Sequence, residues 1–365
     1  MFCLLIGTTL GGGCAFSIDA TTDSAQYVQD STDHDRDRVR LSNVVISEGG
    51  RTTILIEGSD IVAVGSAALA GHAYTIDMDG KAVVPSFIDS HVHLAYLPVD
   101  PTPGGIVAAI DLAAPIEWLN KNSGDLTVLS SGPMITADGG YPTTSWGQNG
   151  YGLECADGDA AVAAVNTLID TGASLIKLPI TGGAALSEEA LTQVVDQAHN
   201  RGVRVVSHAM DDATVDLAHT VGVDVLAHTP TSPLSDATIQ AWSEKTVITT
   251  LSAFGNSQTA RDNLSALRAA GTMVLYGTDH GNLHTTGISS SEINAMRDAG
   301  MNGADIIAAA TRSPADHWGL DHLGSIAPGK EASFLVIDGN PWKDPMLLAS
   351  PMQTWLAGSL IYESN

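Results

Sequence analysis

Six residues in this chain carry side chains that can grip a divalent cation: His91, His93, Lys177, His208, His228 and Asp279. The first two close the apolar run Phe87-Ile88-Asp89-Ser90-His91-Val92-His93. Side chains alternate between the faces of a strand, so His91 and His93 point the same way and can hold one ion from a single edge. Alone the pair is a weak signal, since two strand histidines are as readily solvated or satisfied in a core. Lys177 lies in Leu175-Ile176-Lys177-Leu178, where a lysine either reaches the surface or sits desolvated. A desolvated amine favours its neutral form, as a nucleophilic lysine or one carbamylated by CO2 requires. His208 and His228 read equally well as core histidines, and Asp279 as a turn residue or helix cap. What changes the balance is that all six fall at the ends of apolar strand-like runs. Four histidines, a lysine and an aspartate then make two adjacent sites for hard or borderline divalent ions, zinc foremost.

Such residues need a scaffold that brings strand ends to one rim. The middle of the chain alternates strand and helix patterns, which implies a parallel sheet covered by helices. Strand-like runs fall at Val83–Ile88, Ile106–Asp111, Leu126–Ser130, Ala173–Leu178, Val203–Ser207, Val223–Ala227, Thr246–Leu251 and Met273–Tyr276. Helical spacing appears over Ser187–Arg201, Asp211–Val221, Asp236–Glu244 and Thr259–Ala270. Eight such units in roughly 240 residues fit an α/β fold of the (β/α)8 TIM-barrel type, whose chemistry sits at the C-terminal strand ends. The first unit departs from the ideal, because Pro98, Pro101 and Pro103 leave it little or no helix. Short strands and turns occupy residues 39–84 and return near the C-terminus, predicting one small composite β-sandwich built from both chain ends. The expected organisation is a signal at 1–14, a tether at 15–38, the sandwich at 39–85 plus 325–365, and the barrel at 86–324.

Lys plus Arg number 16 and Asp plus Glu 41, a net charge of −25. That surface repels nucleic acid and anionic membranes, so neither is an expected partner; a small-molecule substrate is, and a homo-oligomer is admitted. It also suits a saline habitat. Met1–Cys14 is a short apolar run ending in glycines before a cysteine, resembling a bacterial lipoprotein signal with Cys14 as the lipidated residue. The run is too short to span a bilayer. The expected location is the cell envelope or periplasm, with membrane attachment only through Cys14; without a working signal it would be the cytoplasm. Cleavage there would leave Cys155 as the one free thiol.

Read together, several segments resemble the amidohydrolase superfamily of metal-dependent hydrolases. They are Gly80-Lys81-Ala82-Val83-Val84-Pro85, the His-x-His, Ile176-Lys177, Ser207-His208-Ala209, Ala227-His228-Thr229-Pro230, Gly277-Thr278-Asp279 and the tail Gly324–Pro341. The resemblance covers roughly residues 39–365 and is nearest to the branch of imidazolonepropionase-like enzymes and metal-dependent prolidases. It implies that His91, His93 and Asp279 hold the more buried metal and His208 with His228 the outer one, with Lys177 bridging them as a carbamate. One or two ions are implied, Zn2+ first, with Mn2+, Fe2+ or Co2+ as substitutes. Ser86 replaces the glycine usual after the proline, and the shortened first unit makes that side of the pocket unlike other members.

The implied activity is hydrolysis of a C–N bond, in a cyclic amide or dipeptide-like amide, with Asp279 as catalytic proton carrier. The same metals would serve a lactone, ester or phosphotriester hydrolase, and a non-catalytic envelope binding protein is the alternative outside enzymes. The glycine- and aromatic-rich segment 139–152 follows the third strand and offers Tyr141 and Trp146 as substrate contacts or as plain loop anchors. His280 and His284, just after Asp279, are further candidate substrate contacts. Ser289-Ser290-Ser291-Glu292 reads as a capping box.

Overall fold

The computed structural model describes residues 38–364. The expectations for residues 1–37, the signal ending at Cys14 and the tether, lie outside them. Strands β1 (Arg38–Val44), β2 (Thr52–Glu57), β3 (Asp60–Val64) and β4 (Tyr74–Asp77) form one sheet in the order β3-β2-β1-β4. β1 begins at Arg38, one residue inside the expected tether. β5 (Ala82–Pro85) leaves this sheet and pairs antiparallel with Phe334–Ile337, nearly at the other end of the chain.

The middle supplies parallel strands: β6 (Phe87–Val92), β7 (Ile106–Asp111), β8 (Thr127–Ser130), β9 (Met134–Ala137), β10 (Gly152–Cys155), β11 (Leu175–Pro179), β12 (Arg204–His208), β13 (Val225–Leu226), β14 (Thr246–Ile248) and β15 (Met273–Leu275). Their helices are α1 (Gly158–Thr171), α2 (Glu188–Asn200), α3 (Asp212–Thr220), α4 (Asp236–Ala241), α5 (Gln258–Ala270), α6 (Ser290–Asp298), α7 (Gly303–Ala310) and α8 (Arg312–Trp318). The result is a TIM-barrel-like α/β fold in which the ladders are segmented into β6-β7-β8, β9-β10 and β11 to β15. Between β15 and β6 the contact is made by single bonds, such as Ser90 N to Tyr276 O at 2.9 Å. Ile88, Ile110, Leu175, Val206, Val225, Ile248 and Leu275, one from each of seven strands, nevertheless share one apolar cluster with Trp318 of α8.

Several features were not evident in the sequence pattern: α1, whose N-cap Asp157 accepts from Ala160 N and whose C-cap is left-handed Gly172, and the pair β9-β10. No α-helix joins β6 to β7, as the prolines imply, and only the 3-10 turn Ile116–Trp118 lies between β7 and β8. Elsewhere serine and asparagine caps start the helices, Ser187 for α2, Ser257 for α5 and Asn302 for α7.

β16 (Phe334–Ile337), β17 (Gln353–Leu356) and β18 (Ser359–Glu363) complete a second sheet in the order β18-β17-β16-β5. Its Phe334, Val336 and Trp355 pack with Leu41, Ile54, Ile56 and Ile61 of the first sheet in one core. The first residues of the structure thus fold against the last, and β5 leads directly into β6. Among the described residues no helix is long and apolar enough to cross a membrane.

Candidate metal centre

All six residues of β6 are buried, and the strand delivers His91 and His93 to one spot. Their Nε2 atoms face each other at 3.2 Å, and Asp279 Oδ1 lies 3.4 Å from the first and 3.2 Å from the second. His91 Nδ1 lies 2.8 Å from Ala227 O, a partner that only a protonated Nδ1 can satisfy, so its Nε2 lone pair points at the cluster. Burial holds His91 well below the usual imidazole range, despite the opposing pull of Asp279. For Asp279 burial acts against the charge, but His91, the bond to His93 and the charge of His228 outweigh it and keep the carboxyl well below its ordinary value. Asn282 Nδ2 also donates to both carboxylate oxygens, at 3.0 and 2.9 Å.

Bringing Asp279 this close needs unusual backbone. Asp279 itself is left-handed, with φ 57°. A Cβ on Gly277 would fall 2.4 Å from Ile248 Cγ2, and one on Gly281, at φ +122°, 2.7 Å from His93 Cβ. The turn is fastened by a residue that the sequence reading passed over. Asp89, buried, accepts from Thr278 Oγ1 at 2.6 Å, Thr278 N at 3.0 Å and His91 N at 3.1 Å. Burial pushes its carboxyl up to about 7 against those bonds. The signal was available, because Asp89, His91 and His93 share one strand face.

The other candidates line the same cavity of about 310 Å3, with Met134, Tyr141, Trp146, Ala253, Phe254 and Asn282. Lys177 is 1% exposed, its Nζ has no hydrogen-bond partner, and burial lowers its amine to about 7. His228 Nδ1 lies 3.0 Å from Thr250 Oγ1, and its ring centroid is 4.5 Å from that of His91 and 4.9 Å from that of His208. Burial lowers His208 to about 4 and holds His228 well below the usual imidazole range. These are imidazoles held neutral, as metal ligation requires. Three aromatic rings lie against the histidines: Tyr141 on His208 at 5.0 Å, Trp146 by His93 at 5.1 Å and Phe254 on His228 at 4.8 Å.

The donor set fits a divalent cation. Two ring nitrogens facing each other beside a buried carboxylate, with His93 Nδ1 and Lys177 Nζ lacking partners, are costly without a positive charge to share. Ligand atoms of His91, His93 and Asp279 all lie within 4.8 Å of one another; His208 and His228 share the cavity but not that group, and Lys177 lines the same cavity.

Three expectations are corrected. His280 does not face this cavity: its Nε2 reaches Leu97 O at 2.8 Å and its Nδ1 accepts from Thr285 N at 3.1 Å, so both nitrogens clamp the loop after β6 to the loop after β15. His284 lies in a separate, more open cleft, with Asp100, Pro103 and the C-terminal strand. The capping box is only half formed, since Ser289 Oγ accepts from Glu292 N while Ser289 N donates to Tyr276 Oη. The Glu292 carboxylate turns instead to Leu251 N at 2.9 Å and Ser252 N at 2.8 Å. It thereby holds the segment that carries Ala253 and Phe254 into the cavity wall.

The chain belongs to the amidohydrolase family, whose family model matches residues 82–361. It is thus a hydrolase of a family named for the amide carbon–nitrogen bond. Three solved structures share the fold. One is an amidohydrolase at 22% identity and TM-score 0.76, covering 90% of this chain and 99% of that one. A Xaa-Pro dipeptidase with bound methionine in its active site matches at 20% and 0.76, covering 90% and 100%. The ochratoxinase of A. niger matches at 18% and 0.72, covering 90% and 95%. A search of curated proteins by sequence finds no match.

Proposed function

We propose that this protein is a metal-dependent amidohydrolase that cleaves the C–N bond of a small amide. The observation that carries this is the facing Nε2 pair of His91 and His93 beside buried Asp279, in one cavity with a partnerless lysine and two further neutral imidazoles. In this reading His91, His93 and Asp279 would hold the deeper ion, zinc foremost, and His208 with His228 a second, and Lys177, as a carbamate, would contribute to both. Such ions supply Lewis acidity and a water acidic enough to attack at neutral pH.

The chain's own groups do the rest. Asp279 accepts the proton of the attacking water and passes it to the departing nitrogen, while Asn282 fixes its two oxygens. Tyr141 Oη accepts from Trp146 Nε1 at 2.7 Å, which leaves the phenol proton to be given to a carbonyl oxygen in the cavity. Burial raises Tyr141's pKa, so that proton is present at neutral pH. Asp279→Asn keeps the shape but removes the proton carrier. Turnover of an amide substrate is expected to fall by at least about 100-fold, with metal content by mass spectrometry retained; wild-type turnover would remove Asp279 from this role.

The segmented strands are taken as one (β/α)8 barrel over residues 86–324, and the two end sheets as one composite sandwich of 39–85 and 325–365. Envelope anchoring through Cys14 is a separate proposal. Metabolic labelling with a radioactive fatty acid would mark the wild type but not Cys14→Ser, and an unlabelled wild type would dismiss it.

A further inference from the structure

We infer that the substrate is an uncharged amide with an apolar or aromatic substituent, rather than a dipeptide or other carboxylate-bearing amide. This rests on the amidohydrolase reading and narrows it. Besides the six candidate ligands, the cavity wall consists of Met134, Tyr141, Trp146, Ala253, Phe254 and Asn282. Its polar groups are neutral ones. Trp146 gives its N–H to Tyr141, and Asn282 gives its amide hydrogens to Asp279, so the phenol proton is the donor left for a ligand. A carbonyl oxygen can take it; a second, fully charged carboxylate would be desolvated against rings and a thioether, at a cost that one phenol does not offset.

Two of the basic side chains nearby in sequence are committed elsewhere. Arg261 donates to Asn256 O and Gln258 Oε1, and Lys121 lies over the Trp118 ring at 3.3 Å in a different cleft. A net charge of −25 adds a long-range field that lowers the local concentration of anions and leaves neutral molecules unaffected. The aromatic wall works in the opposite sense. Tyr141, Trp146 and Phe254 each lie against a different histidine, so an aryl or alkyl group entering beside the scissile bond exchanges water for ring surface.

N-acetylphenethylamine and N-acetyl-L-phenylalanine differ by one carboxylate. Stopped-flow quenching of tryptophan fluorescence on mixing the metal-loaded protein with each, Trp146 lying in the cavity wall, reads binding before turnover. The neutral amide is expected to bind at least tenfold more tightly, and Phe254→Ala, checked for metal content and folding by circular dichroism, to weaken its binding several-fold. Equal or tighter binding of the carboxylate would overturn the inference, as would unchanged affinity in the folded Phe254→Ala protein. If the neutral amide is bound with this preference yet neither it nor related amides are hydrolysed, the amidohydrolase reading fails while the assignment of the wall stands.

Discussion

Lys177 is the residue whose chemistry the surroundings define most sharply. It is buried, without a hydrogen-bond partner, and burial brings its amine to about 7, so a large neutral fraction is present near neutrality. A neutral amine is what CO2 needs to form a carbamate, and the product is an anion suited to lie between two cations. Protein loaded with metal in 13C-bicarbonate is expected to show a carbamate carbon resonance, absent from Lys177→Ala; a wild type without that signal would return Lys177 to the status of a plain buried amine. In the sequence, Lys177 and the histidines were each open to an ordinary structural explanation. Their common position at strand ends was legible because strand periodicity fixes which way side chains point. Asp89 shares that strand face, but its role depends on Thr278, a partner 189 residues away that strand periodicity does not reveal.

At the scale of elements, α6 shows how a local motif can be redirected. Ser289-x-x-Glu292 has capping-box spacing, yet Tyr276 Oη already takes the Ser289 N–H, so Glu292 bonds the backbone after β14 instead. That backbone includes Thr250, which touches His228, and leads to Phe254 on the cavity wall. Glu292→Gln retains an acceptor for only one of the two N–H groups and is expected to cost about 1–3 kcal/mol at acidic pH. Burial raises the Glu292 carboxyl above its ordinary 4.5. The native glutamate's contribution is therefore fully present below that value and lost as pH rises through the elevated one, so the stability gap between wild type and Glu292→Gln should narrow with rising pH. Denaturant unfolding at several pH values measures it, and a gap that widens would contradict the assignment. His280 is a parallel case, since its neighbours in sequence suggested the pocket while Leu97 and Thr285 use both ring nitrogens.

For the whole molecule, 41 acidic against 16 basic residues mean self-repulsion in the compact state. The midpoint of thermal unfolding is expected to rise as sodium chloride increases from about 0.01 M to about 1 M, where the screening length shrinks from about 30 Å to about 3 Å; a flat or falling midpoint would show that the acidic groups are already spaced to avoid one another. By itself the sequence determined the alternation of strand and helix, the return of short strands at the C-terminus and the ligand-type residues at strand ends, because these follow from local periodicity and chain order. Only the tertiary structure decided which side chains meet. The Nε2 pair with Asp279, the rings laid on His93, His208 and His228, the outward turn of His284 and the clamp formed by His280 depend on backbone from segments well separated in the chain, including the left-handed turn at Asp279. Side-chain alternation places a residue on a face, but contact across a barrel depends on strand order and on close approaches such as those at Gly277 and Gly281, which no local pattern encodes.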